Sequence, residues 1–175
     1  MTTAGWALAA LVIIAAVTDL RARQIPNWLT LGGVLAGLAL HAWLGGWSGL
    51  GASALGFAAG CVLFLPLFAL RWIGGGDAKL MIAIGALAGW KPLLVIFLLD
   101  AVLGGVAALG YMLARGRVRR TLRNLKLMLV SLLRGRAPYQ ESAELEAGSA
   151  HSAGLPRAVT IALATLIVVW GGGLY

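Results

Sequence analysis

Apolar residues run along this chain in long blocks broken by short polar or glycine-rich interruptions. A helix that crosses hydrocarbon needs about 20 mostly apolar residues. Blocks of that kind cover residues 2–18, 28–47, 50–70, 92–114 and 156–175, and a shorter one covers 78–90. The pattern therefore predicts an all-α fold, a polytopic membrane protein with a bundle of six transmembrane helices. It forms one membrane-embedded domain over residues 1–175, with a loop at 115–155.

The fourth block is short, since residues 80–90 rise only about 16 Å as a helix. Charge decides whether it crosses. With six crossings one side holds Arg21, Arg23, Arg71, Lys79, Arg115, Arg117, Arg119, Arg120, Arg123, Lys126, Arg134, Arg136 and Arg157, and the other holds only Lys91. That asymmetry is what the positive-inside rule expects, so the basic side is read as cytoplasmic and both termini as outside. Without the fourth crossing, the basic cluster after residue 114 would be placed outside. The stretch "GGGDAK" (74–79) then lies in or close to the membrane.

Composition agrees with this pattern. The chain is 61% hydrophobic and 11% charged, with a mean hydropathy of +0.92, whereas soluble domains are about 45–50% apolar and about 25% charged. The net charge of +8 does not point to nucleic acid, because the cations sit between apolar blocks as topology signals do. The start lacks a basic n-region and is read as a retained first helix. Cys61, the one cysteine, excludes a disulfide framework or a four-cysteine zinc site within the chain and is read as a packing residue.

Between helices five and six, residues 115–136 are basic and partly amphipathic, with Leu122, Leu125, Leu129 and Leu132 or Leu133 on one face. Two readings stand: a segment lying on the cytoplasmic leaflet against anionic lipid, or a solvated basic loop that fixes topology. Residues 137–155, with Glu141, Glu144 and Glu146, read as a flexible cytoplasmic loop. The spaced pairs Gly33/Gly37, Gly45/Gly49, Gly56/Gly60 and Gly85/Gly89 let helices approach closely.

The remaining acidic residues, Asp19, Asp77 and Asp100, all lie in or beside membrane helices. A charge at mid-membrane costs about 2.5–3.5 kcal/mol on insertion scales, so such residues are functional candidates. Asp19 ends the first helix, and two further crossings bring Asp77 to the same cytoplasmic end. Asp100 is placed deeper, or nearer the opposite side. Two facing carboxylates titrate as a pair. The ionised member takes a proton from water while the protonated member donates to a carbonyl oxygen, a chemistry that needs neither metal nor cofactor. His41 and His151 are isolated, no serine has an evident His/Asp partner, and "GGGDAK" lacks the G-K-[ST] of a phosphate loop.

Gly74, Gly75 and Gly76 allow positive φ and let another backbone come close, which reads as clearance for a substrate backbone. Pro26 fits the first turn of the second helix, and Asn27 can cap it or hydrogen-bond locally. Plainer readings exist for each acid: Asp19 paired with Arg23, Asp77 as a helix N-cap, Asp100 as a neutral, hydrogen-bonded core residue. The tryptophans read as interfacial anchors.

"TDLRARQIPNWLT" (18–30) and "GGGDAKLM" (74–81) together resemble the two signature regions of prepilin peptidases, the GxGD class of intramembrane aspartic proteases. The resemblance implies Asp19 and Asp77 as the catalytic pair, with Gly74, Gly75, Gly76, Lys79, Arg23, Pro26 and Asn27 as candidates for supporting that pair or orienting substrate. It implies cleavage of a short basic leader from a pilin-like precursor, at the cytoplasmic face of a prokaryotic inner membrane, just before the precursor's hydrophobic segment. The organisation is similar to the short, peptidase-only members associated with Flp-type (tight-adherence) pili. Longer members carry paired CxxC motifs and N-methylate the mature pilin; that activity is not expected here. Two other readings are carried forward: a small proton-coupled transporter using Asp19, Asp77 and Asp100 as a relay, and a non-catalytic assembly protein of a secretion system.

Overall fold

The structure, a computed structural model, describes residues 3–114 and 157–172. The described residues are helical throughout apart from short connections: α1 (Thr3–Ala22), α2 (Asn27–Ala69), α3 (Gly75–Ala88), α4 (Trp90–Ala114) and α5 (Arg157–Trp170). The basic segment 115–136 and the acidic loop 137–155 lie outside the described residues. The chain divides into two compact units, Met1–Gly104 with Pro156–Tyr175, and Gly105–Leu155. The described part of the second is the last stretch of α4.

Three helices are long and apolar enough to cross a membrane: α1, α2 and, within α4, Trp90–Gly110. At 43 residues, α2 would span about 65 Å if straight, roughly twice the hydrocarbon thickness. It is not straight. Gly46 interrupts it with φ 57° and ψ −142°, a conformation open essentially to glycine alone. The two blocks expected at 28–47 and 50–70 are thus the two arms of one element.

The arms run antiparallel, as their contacts with α3 show. On the first arm, a Cβ at Gly33 would lie 3.3 Å from Ala83 Cβ, and one at Gly37 would lie 2.7 Å from the Ala86 carbonyl oxygen. On the second arm the order reverses: Gly56 faces the Gly85 backbone, and a Cβ at Gly60 would lie 2.9 Å from Ile82 Cα. Two of the small-residue pairs therefore form the walls of a slot that holds α3.

That position explains how a helix of 14 residues fits the bundle. Leu80, Ala83, Ile84 and Ala86 are fully buried, and every residue from Met81 to Leu87 is buried. A helix apolar on all sides is a buried one, and α3 is enclosed by other helices. It begins at Gly75 and stops at Ala88, so it starts earlier than the 78–90 expected.

Where α3 ends, its last carbonyls meet side chains of α2. Ser53 Oγ donates to Ala86 O at 2.7 Å, and His41 Nε2 donates to Leu87 O at 3.0 Å. Without water in the hydrocarbon, helix ends need such partners. His41, isolated in the sequence, has this structural task. Ser53 is fully buried, so Ser53→Ala leaves the Ala86 carbonyl short of a donor. The expected loss is about 1–3 kcal/mol, read as a lower midpoint in a thermal melt of the detergent-solubilised protein.

Around this centre, α1 packs chiefly on α5, and α4 joins through Leu93, against Gly85, and Phe97, edge-on to Phe64 at 5.3 Å. Outward positions are strongly apolar, among them Leu35, Val62, Leu98 and Ile167, as a surface facing lipid requires. Trp43 and Trp47, beside the Gly46 reversal, are each 88% exposed.

Candidate active site

An arginine stops the helix within the first sequence motif and another stops the helix just ahead of the second. Arg23 takes φ 51° just after α1, and its N–H donates to Asp19 O at 2.8 Å. Arg71 takes φ 58° just after α2. There Arg71 N donates to Phe68 O and Trp72 N to Leu67 O, each at 2.9 Å, the paired bonds of a Schellman stop that usually has glycine at this position. These stops turn the chain from α1 into "QIPN" and from α2 into "GGGD".

Asp77 occupies the third position of α3, whose N-cap is Gly74. The N-cap reading of Asp77 is thereby corrected. Its carboxylate instead reaches back to the Gly74 backbone N–H, as the acid of a capping box does. None of the three glycines uses positive φ. Gly74 is extended, and Gly75 and Gly76 are the first helical residues. What they supply is clearance inside the protein: a Cβ at Gly75 would lie 3.1 Å from the Phe68 ring, and one at Gly76 would lie 3.3 Å from Ile25 Cβ. The second contact seats the "GGGD" turn directly on "QIPN".

A hydrogen bond ties the same two motifs together, from Lys79 Nζ to Asn27 Oδ1 at 3.0 Å. Asn27 opens α2, and Pro26 is its N-cap residue, one position before the first turn expected for it. The Pro26 carbonyl accepts from Leu29 N at 3.2 Å and Thr30 N at 3.4 Å. The Asn27 side-chain oxygen is engaged by Lys79. Arg23 is exposed beside the Asp19 turn.

The acids converge on the first turn of α5. Ala158 N donates to Asp19 Oδ2 at 3.1 Å. Arg157 Nε lies 3.9 Å from Asp77 Oδ2; the Asp77 side chain is 17% exposed and that of Arg157 is 56% exposed. Asp19 and Asp77 thus meet two consecutive residues of α5, Ala158 and Arg157. Asp100 belongs to the same neighbourhood: its charge reaches Asp77, and Thr160 of α5 is its hydrogen-bonding neighbour. Sequence reasoning counted Arg157 only as a topology charge and overlooked Ala158 and Thr160. The available signal was positional, since the start of the last helix falls on the same face as Asp19 and Asp77.

Chemically, this is a pair of carboxylates on separate helices at one end of the bundle. A backbone N–H orients one, and a half-exposed guanidinium stands beside the other. Such a pair can hold a water between its members and share a proton. Among the described residues no three His, Cys, Asp or Glu side chains are placed to bind a metal ion together.

Residues 6–109 match the model of a known family, Peptidase_A24, the type IV leader peptidase family. The match spans α1 to α4 up to residue 109 and includes Asp19, Asp77 and Asp100; α5 lies beyond it. No curated protein and no solved structure matched the chain.

Proposed function

The chain belongs to the type IV leader peptidase family, and on that premise we propose that it is an aspartic endopeptidase with Asp19 and Asp77 as its catalytic pair. As a member it is a membrane peptidase that processes prepilin-type substrates. The finer reading is that six helical segments cross a prokaryotic inner membrane and that the pair works at the cytoplasmic face. There it removes the short leader of an Flp-like prepilin just ahead of the precursor's hydrophobic segment. N-methylation is no part of this activity, and the basic segment 115–136 rests on anionic lipid.

One observation carries the reading. Asp19 and Asp77, 58 residues apart in sequence, stand at one end of the bundle around the first turn of α5. In the reaction, a water between them loses a proton to the ionised carboxylate and attacks the scissile carbonyl. The protonated member donates to the carbonyl oxygen as it becomes tetrahedral. Lys79 and Asn27, joined at the seam of the two motifs, keep the turns that carry the acids in register.

The test is cleavage in a defined system. Full-length protein in nanodiscs is mixed with an Flp-type prepilin, and the product's new N-terminus is read by mass spectrometry. The expected product begins just ahead of the hydrophobic run and carries no added methyl. A folded protein that cuts no such precursor would overturn the proposal.

A further inference from the structure

Both acid-bearing motifs lie within the residues that match the family, 6–109, whereas the helix that meets their acids lies beyond them. That helix, α5, is a firm platform. Ala158, Ala164 and Thr165 are fully buried and Ile161 is 1% exposed, so one face of α5 is fixed in the core from its first turn onward. From that turn two consecutive residues reach acids that are 58 residues apart in sequence. Ala158 N donates to Asp19 Oδ2 at 3.1 Å, and Arg157 Nε stands 3.9 Å from Asp77 Oδ2.

The two contacts differ in kind. A backbone N–H can only donate, and in a buried helix it cannot swing away, so it fixes one oxygen of Asp19. Hydrogen bonds to a carboxylate are about twice as strong as neutral ones, and the partial positive charge of a helix N-terminus adds to this one. The Arg157 contact is longer than a hydrogen bond, so its pull on Asp77 is Coulombic. It draws that carboxylate toward the same turn without locking it. We propose that the first turn of α5 is a positioning element of the active site: the Ala158 N–H fixes the Asp19 carboxylate, the Arg157 charge draws in Asp77, and their spacing along one turn sets the distance across which the pair holds its water. Each group acts through an aspartate.

This inference rests on the Asp19/Asp77 reading, and the experiment keeps the two apart. No side-chain change removes a backbone N–H. In the full-length protein Ala158 is therefore replaced by lactic acid through nonsense suppression, which puts an ester oxygen in place of the N–H and keeps the methyl group. The same replacement at Ala162, one turn along and also buried, removes an N–H that serves the helix alone. Initial rates of prepilin cleavage are measured in nanodiscs at low salt. The ester at position 158 is expected to lower kcat roughly ten- to a hundredfold with KM little changed, the range for a hydrogen bond to a charged group. The ester at position 162 is expected to stay within roughly threefold of wild type. Arg157→Lys keeps the charge and should cleave within roughly twofold of wild type. Arg157→Gln keeps a nitrogen at the place of Nε and loses the charge. It should be slower by roughly three- to fivefold, the upper range for an exposed pair, and salt at about 0.5 M should close the gap by screening the wild type.

Equal losses at positions 158 and 162, or a loss at 158 carried by KM, would show that α5 serves as scaffold alone and overturn the inference. Arg157→Gln as fast as wild type, a deficit that Arg157→Lys shares, or one that salt leaves intact would overturn it as well. If the ester at position 158 gives no folded protein, the Arg157 series decides alone. Wild-type cleavage by an Asp19→Asn control would remove the underlying reading instead.

Discussion

Asp19→Asn and Asp77→Asn proteins, folded and inserted, are expected to leave a prepilin-type precursor uncut. The loss in rate should be at least roughly 10²–10⁴-fold, the range of positioned acid–base catalysis. Asparagine preserves shape. At position 19 its side-chain oxygen can still accept from Ala158 N, the bond made at 3.1 Å, so the fold should persist while the proton chemistry is lost. The double variant should be no slower than either single one, because groups that act as a unit fail together. Arg157→Ala separates this from a loss of the neighbouring ion pair. That pair is 3.9 Å long on a half-exposed arginine, and such surface pairs are worth about 0–1 kcal/mol. Time courses of precursor processing, followed by mass, decide the matter. Either asparagine variant cleaving within tenfold of wild type would remove its aspartate from the catalytic pair.

The largest effect on stability is expected at Gly56. A Cβ there would run into the Gly85 carbonyl oxygen, and a Cβ at Gly85 would lie 2.5 Å from the Gly56 oxygen. Backbone meets backbone at this crossing, so no side chain can move aside. Gly56→Ala should destabilise by about 3 kcal/mol, the upper part of the usual overpacking range, because α3 has to leave its slot. Gly51, five residues earlier on the same arm, has open space at its Cβ. Gly51→Ala should be neutral or stabilising, since alanine favours the helix by about 1 kcal/mol over glycine. Thermal melts of both variants in one detergent make the comparison. A Gly56→Ala midpoint equal to that of Gly51→Ala would contradict the packing described.

Lys79 and Asn27 show how far local chemistry could be read. Both stood out in the sequence because each sits in a motif beside an acid, and the structure joins them at 3.0 Å. Gly74, Gly75 and Gly76 stood out for the same reason, but the neighbours they make room for inside the protein did not. An isolated run of glycine signals freedom or clearance without saying which. Phe68 and Ile25, the residues that need the clearance, come from other elements.

Hydropathy along the chain determined the all-helical membrane class, the approximate helices and a division of residues 28–70 into two blocks, close to the interruption at Gly46. Charge asymmetry and the two motifs placed Asp19 and Asp77 on one face. These properties are local, because a helix satisfies its own backbone and a membrane segment is recognised by length. What the tertiary structure alone decided is which apolar helix is central and what touches the acids. Hydropathy reports removal from water and does not distinguish lipid from protein, so it could not tell that the short α3 is the enclosed core of the bundle. The donor to Asp19 lies 139 residues away, and the cation beside Asp77 comes from the last helix. Contacts at that separation are made when helices pack, and no periodicity or spacing in the chain records them.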